Sequence, residues 1–131
     1  MTRFFTYFII SSYLFAVDVT FNVDMSNQVL DSDCDPTIAG SFNNWSSAYN
    51  LSDLGYGIWG ITLELNPNSQ YEYKFGICGW QLEDLDSGGD CTNTTDGYTN
   101  RFISVYDNDL QLNTYYYSNC NISDGQTHLE G

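Results

Sequence analysis

Tyr71-Glu72-Tyr73-Lys74-Phe75-Gly76-Ile77 is the stretch whose pattern sets the fold class. Tyr71, Tyr73, Phe75 and Ile77 alternate with Glu72 and Lys74. In an extended strand, a period of two sends the two sets to opposite faces. The aromatic set therefore faces a core, and Lys74 points away from it, to solvent or a ligand. Lys74 is the only lysine in the chain, so generic surface charge does not account for it.

The same alternation recurs on either side. Val17, Val19, Phe21, Val23 and Met25 alternate with Asp18, Thr20, Asn22 and Asp24. Trp59, Ile61, Leu63 and Leu65 form one face of a strand spanning 58–65. Core packing is the expected role of Trp59 and of the 71–75 tyrosines. Further strands are expected at 37–42, 100–105 and 110–117. Asn66-Pro67-Asn68-Ser69 reads as a turn, and Asp107-Asn108 as a hairpin turn. Segments 43–57 and 79–98 read as loops, the second long enough to suggest a function. No helix is expected. Several short strands with regular turns predict an all-β fold, an antiparallel β-sandwich of about six to eight strands.

At 131 residues the chain is expected to form one domain. Residues 1–16 read as a secretory signal: Arg3 is followed by an apolar run too short to span a bilayer, with Ala16 as the small residue at the cleavage site. Residues 17–120 form the sandwich, and 121–131 a flexible polar tail. The mature protein is thus expected to be secreted, with no membrane attachment after cleavage. A net charge of −14 argues against nucleic-acid partners. Hydrophobic residues still reach 42%, enough to separate the chain from acidic disordered tails.

Four cysteines suit an exported, disulfide-bonded domain and allow three pairings. We expect Cys78 with Cys91, closing a short loop, and Cys34 with Cys120, tying the end of the domain to its start. Metal-ligand spacing is missing, and the Asp31–Asp35 loop has Pro36 where a calcium loop needs glycine, so no metal or cofactor is expected. Sequons at Asn44, Asn50, Asn93 and Asn121 are candidate N-glycosylation sites.

Catalysis is not expected. His128 is the lone histidine and lies in the tail. Glu83 and Asp84 fall in the 79–98 loop, where nothing fixes the carboxylate separation that a glycosidase needs.

Gly40-Ser41-Phe42-Asn43-Asn44-Trp45, then Tyr73-Lys74-Phe75, then Gly79-Trp80 follow in a fixed order. In this the chain resembles the starch-binding-like and glycogen-binding modules, among them the glycogen-binding domains of AMP-activated kinase β subunits, and the resemblance implies an immunoglobulin-like form of the sandwich. It also resembles secreted modules in which a cysteine-bearing loop leads to Thr-Asn-Arg, here Cys91 and Thr99-Asn100-Arg101, with a closing cysteine, here Cys120. The resemblance covers about residues 19–120 and implies a carbohydrate-binding role for Trp45, Lys74, Trp80 and Asn100. A leucine that grips the glucan in that family has no counterpart in the acidic 79–98 loop.

A flat indole covers the C–H face of a sugar, while lysine and asparagine bond its hydroxyls. Each of the four positions also has a structural alternative: Trp45 closing the sandwich, Trp80 packing on a disulfide, Lys74 paired with Glu72, and Asn100 at a strand edge. The leading expectation is a secreted, non-catalytic module for α-glucan or a related polysaccharide. The alternative is a glycosylated structural or adhesive subunit whose homo-assembly through strand edges builds filaments. The two collide at Asn44, where a glycan would stand beside Trp45.

Overall fold

The computed structural model describes residues 3–4 and 15–124. Most of the expected signal segment, and the tail beyond Asp124 with His128, lie outside the described residues.

Two sheets pack face to face. The first has the order β10 (Leu110–Gln111), β1 (Val17–Asp24), β5 (Ile58–Leu65) and β4 (Ser52–Gly55), with β11 (Tyr115–Tyr116) also pairing β1. The second runs β3 (Tyr49–Asn50), β2 (Pro36–Gly40), β6 (Ser69–Ile77), β9 (Tyr98–Val105) and β8 (Thr92–Thr95), with β7 (Gln81–Leu82) also on β6. This is an immunoglobulin-like β-sandwich. Four of the strands are two-residue ladders, so the longer ones number seven among the described residues. A 3-10 turn at Ser41–Asn43 interrupts the β pattern.

The alternating faces meet in register. Val17, Val19, Phe21 and Val23 of β1 stand opposite Leu65, Leu63, Ile61 and Trp59 of β5. Trp59 packs against the core as expected. Across the sandwich Phe21 meets Tyr73 edge-on at 4.9 Å, and Tyr73 meets Phe75 at 5.6 Å. Phe21, Tyr73 and Phe75 are all buried, so the Phe21–Tyr73 contact joins the sheets, and the Tyr73–Phe75 contact packs along β6, through residues that the alternation assigned to the core.

Several expectations are corrected. The disulfides are Cys34–Cys78 and Cys91–Cys120, neither of the expected pairs. Pro36 pairs with Ile77. Cys34 just before β2 and Cys78 just after β6 are thereby brought to a Cα separation of 4.5 Å. The 79–98 segment is no free loop either. It folds back as β7, and β8 forms a hairpin on β9. That path carries Cys91 to the C-terminal segment, where its amide donates to Cys120 Sγ at 3.1 Å.

Asp107-Asn108 does not close a hairpin. β9 belongs to the second sheet and β10 pairs β1 in parallel in the first, so the link crosses between layers. The 43–57 segment likewise holds β3 and β4, the chain changing sheets at buried Leu51. The first residues of the expected tail are built into the fold. Ser123 N donates to Thr114 O at 2.8 Å, and the Ser123 hydroxyl donates to the Asp24 carboxylate.

One buried ion pair fastens this end. Arg101 donates from Nε and Nη2 to Glu83 at 2.8 and 2.7 Å, and from Nη2 to the Tyr116 and Asn119 carbonyls. Glu83 also accepts from the amides of Phe75 and Ser118 at 2.7 and 2.9 Å. The guanidinium lies over the Phe75 and Tyr115 rings at 5.3 and 5.4 Å. Burying two charges is tolerated because each is paired and hydrogen-bonded.

Candidate functional site

The outward face of the second sheet carries the candidate site. Lys74 and Glu72 project from β6, and Asn100 and Tyr98 from β9, on the face opposite buried Tyr73, Phe75 and Arg101. Three connections rise around them, each with a local reason for its shape.

The first is the Gly40–Trp45 run. Gly40 is required by close approach, since a Cβ there would stand 2.3 Å from the Phe42 ring and 2.8 Å from the Glu72 carbonyl oxygen. Ser41 Oγ accepts the Glu72 amide at 3.0 Å, replacing a ladder bond where β2 ends. Phe42 turns inward and stacks on Tyr49 with ring centroids 5.8 Å apart. Asn43 Nδ2 donates to the Ser47 carbonyl at 3.0 Å. Asn44 and Trp45 both sit in the left-handed region, at φ 58° and 57°. Asparagine adopts it readily, but a bulky residue does so at a cost. The Trp45 amide donates to the Gly40 carbonyl at 2.9 Å, which holds the turn closed. The run thus anchors itself with Phe42 and presents Trp45 half-buried at the edge of the outer face.

The second connection is the tight β6–β7 turn at Cys78-Gly79-Trp80. Cys78 and Gly79 have φ of 53° and 80°. Thr37 Oγ1 donates to the Gly79 carbonyl at 2.7 Å, and the 34–78 disulfide ties the turn to the start of β2. Trp80 is 51% exposed, so burial on the disulfide does not describe it.

The third is the β8–β9 hairpin. Thr95 pairs with Tyr98 across Asp96-Gly97, whose φ values of 54° and 82° are those of a type I′ turn. The Asp-Gly dipeptide is the sequence signal that could have identified this hairpin inside the expected loop.

Together these elements frame an open groove of about 560 Å³. Trp45, Lys74, Trp80 and Asn100 all line it, so the structure gathers the four expected residues from separate segments. Glu72, Leu82, Thr95, Asp96 and Tyr98 complete the wall. Sequence reasoning missed Tyr98 as a wall residue because the segment before it reads as loop. Among the described residues Lys74 makes no ion pair within 4.0 Å; the bridge present is Arg101–Glu83. Glu72 instead accepts from Asn93 Nδ2 at 3.4 Å. Two indoles, the Lys74 ammonium, the Asn100 amide and the Glu72 and Asp96 carboxylates line a concave surface where a polar ring with apolar faces could be stacked and hydrogen-bonded.

Of the candidate glycosylation sites, Asn44 is exposed beside Trp45, and Asn93 is exposed on β8 with its amide on Glu72. Asn50 is exposed on the edge strand β3, and Asn121 is exposed after Cys120.

No family model matches the chain. An alpha-amylase of Niallia circulans is 36% identical over 84 residues, which amount to 61% of this chain and 6% of that protein. Among solved structures, the family 20 CBM of the maltotetraose-forming amylase from Pseudomonas saccharophila aligns with a TM-score of 0.53 at 19% identity, covering 77% of this chain and 99% of that one. The family 15 glucoamylase of Hypocrea jecorina aligns at 0.50 and 19% identity, covering 79% of this chain and 17% of that one. Hormoconis resinae glucoamylase gives 0.50 and 18%, covering 85% and 19%. The chain therefore shares its fold with a carbohydrate-binding module and with a minor part of two glucoamylases. The likeness in fold covers 77 to 85% of this chain.

Proposed function

We propose that this chain is a secreted, non-catalytic module that binds a neutral α-glucan or related polysaccharide in the groove framed by Trp45 and Trp80. One observation carries the reading: Trp45, Lys74, Trp80 and Asn100, drawn from four stretches of sequence, line a single groove. In this reading the indoles stack on sugar faces, and Lys74 and Asn100 bond hydroxyls. The fold shared with the family 20 CBM supports it. The two disulfides are consistent with an extracellular location.

Glu83 is set aside as a catalytic carboxylate by its position. It is locked by Arg101 and two backbone amides and is buried away from the groove. A general acid or nucleophile must reach the scissile bond.

The test is a calorimetric titration of the mature protein with linear maltooligosaccharides. Saturable binding heat is expected in the wild type and not in Trp45→Ala with Trp80→Ala. A flat titration of folded wild-type protein would retire α-glucan as the ligand.

A further inference from the structure

The outer face of the second sheet carries more aromatic surface than the groove uses. Tyr98, Phe102 and Tyr106 recur every four residues, a spacing of about 13 Å along an extended chain. They are 72%, 45% and 68% exposed. Phe102 pairs with Glu72, a wall residue of the groove, so the two stand side by side. One step further, Gln70 pairs with Ser104, and Gln70 Nε2 donates to Ser104 Oγ at 3.5 Å. Beyond them lies a second hollow of about 210 Å³, lined by Gln70, Ser104 and Tyr106 among others.

The pattern along this face is ring, polar group, ring. A protein-docking face has a contiguous apolar centre. Separated rings with amides and hydroxyls between them suit a polymer that offers C–H faces and hydroxyls in alternation. The hollow lies on the same two strands as the groove, past the Glu72–Phe102 pair. We infer that the outer face is one extended polysaccharide track, and that Phe102 and Tyr106 form a second subsite for a glucan chain too long for the groove. This rests on the groove reading above.

The discriminating experiment compares maltotriose with soluble amylose by calorimetric titration of the mature protein. The variants are Tyr106→Ala, and Phe102→Ala with Tyr106→Ala, with thermal melts as the folding check. Maltotriose affinity is expected to be unchanged in both. Amylose affinity is expected to fall about three- to tenfold in the double variant, the size of one or two lost stacking contacts. The single variant, altered only past the end of β9, should show part of that fall and keeps the test open should the double variant fold poorly. A long chain offers many overlapping registers, but these affect wild type and variant alike. Wild-type amylose affinity in the folded variants, alongside its loss in Trp45→Ala with Trp80→Ala, would overturn the track and leave the groove standing. Amylose binding that survives loss of both tryptophans would overturn the groove reading, and the track with it.

Discussion

Arg101 and Glu83 form a two-pronged ion pair, with Nε and Nη2 at 2.8 and 2.7 Å from the carboxylate oxygens and both side chains closed to solvent. Through this pair β9, the end of β7 and the C-terminal segment are held as one body. The groove wall at Leu82 and the turn at Trp80 lie directly before Glu83, so the pair also positions the site.

Removing one partner leaves the other charged and buried. Arg101→Met and Glu83→Gln are each expected to lower stability by about 3–5 kcal/mol. Urea denaturation measures this. A loss below about 1 kcal/mol would mean that water reaches the pair.

The disulfides make a direct chemical prediction. Peptide mapping without reduction should yield Cys34 joined to Cys78 and Cys91 joined to Cys120. The loops they close span sequence separations of 44 and 29 residues. Replacing either pair by serine should cost roughly 2–4 kcal/mol. Recovery of a Cys78–Cys91 peptide would contradict the β7 and β8 pairings.

Gly40 is a steric requirement, because a Cβ would strike the Phe42 ring and the Glu72 carbonyl. Gly40→Ala should destabilise by roughly 1–3 kcal/mol and weaken glucan binding by moving Trp45. Asn44→Gly should do neither, since glycine accepts φ 58°. It also removes the sequon beside Trp45. If glycan occupies Asn44 in the secreted protein, this variant should bind more tightly than wild type, which mass spectrometry and titration together decide.

Alkaline pH should unfold the protein through its buried phenols. Burial, with the Glu83 charge adding and Arg101 opposing, pushes Tyr117 from 10.0 up to about 12. Burial raises Tyr73 as well. A raised value means that the unfolded chain releases its proton first. The stabilising contribution is complete below about pH 10 and is lost as pH rises toward 12. Tyr117→Phe should make that decline shallower, as seen in denaturation midpoints taken across the window. An unchanged slope would show that Tyr117 is solvated.

The strands at 17–24, 58–65 and 71–77 were legible because period-two alternation is a local property, written in neighbouring residues. So were the four groove residues, through motifs whose order the chain keeps. The β8–β9 hairpin had a local signal in Asp96-Gly97 that went unread, because the surrounding acidic and glycine-rich residues read as loop. Segments 107–108 and 121–123 were misread for a related reason. Polar composition marks a turn or tail, yet it does not say which sheet the chain enters next, or that Ser123 meets Asp24.

The sequence by itself determined which faces are buried, hence a β-sandwich, and which four side chains were candidates to meet a ligand. Tertiary structure alone decided the disulfide pairing, the Arg101–Glu83 bond and the convergence of Trp45 with Trp80. These join residues far apart in the chain. Their proximity follows from strand register and from the order of strands across two sheets, and no local pattern encodes either.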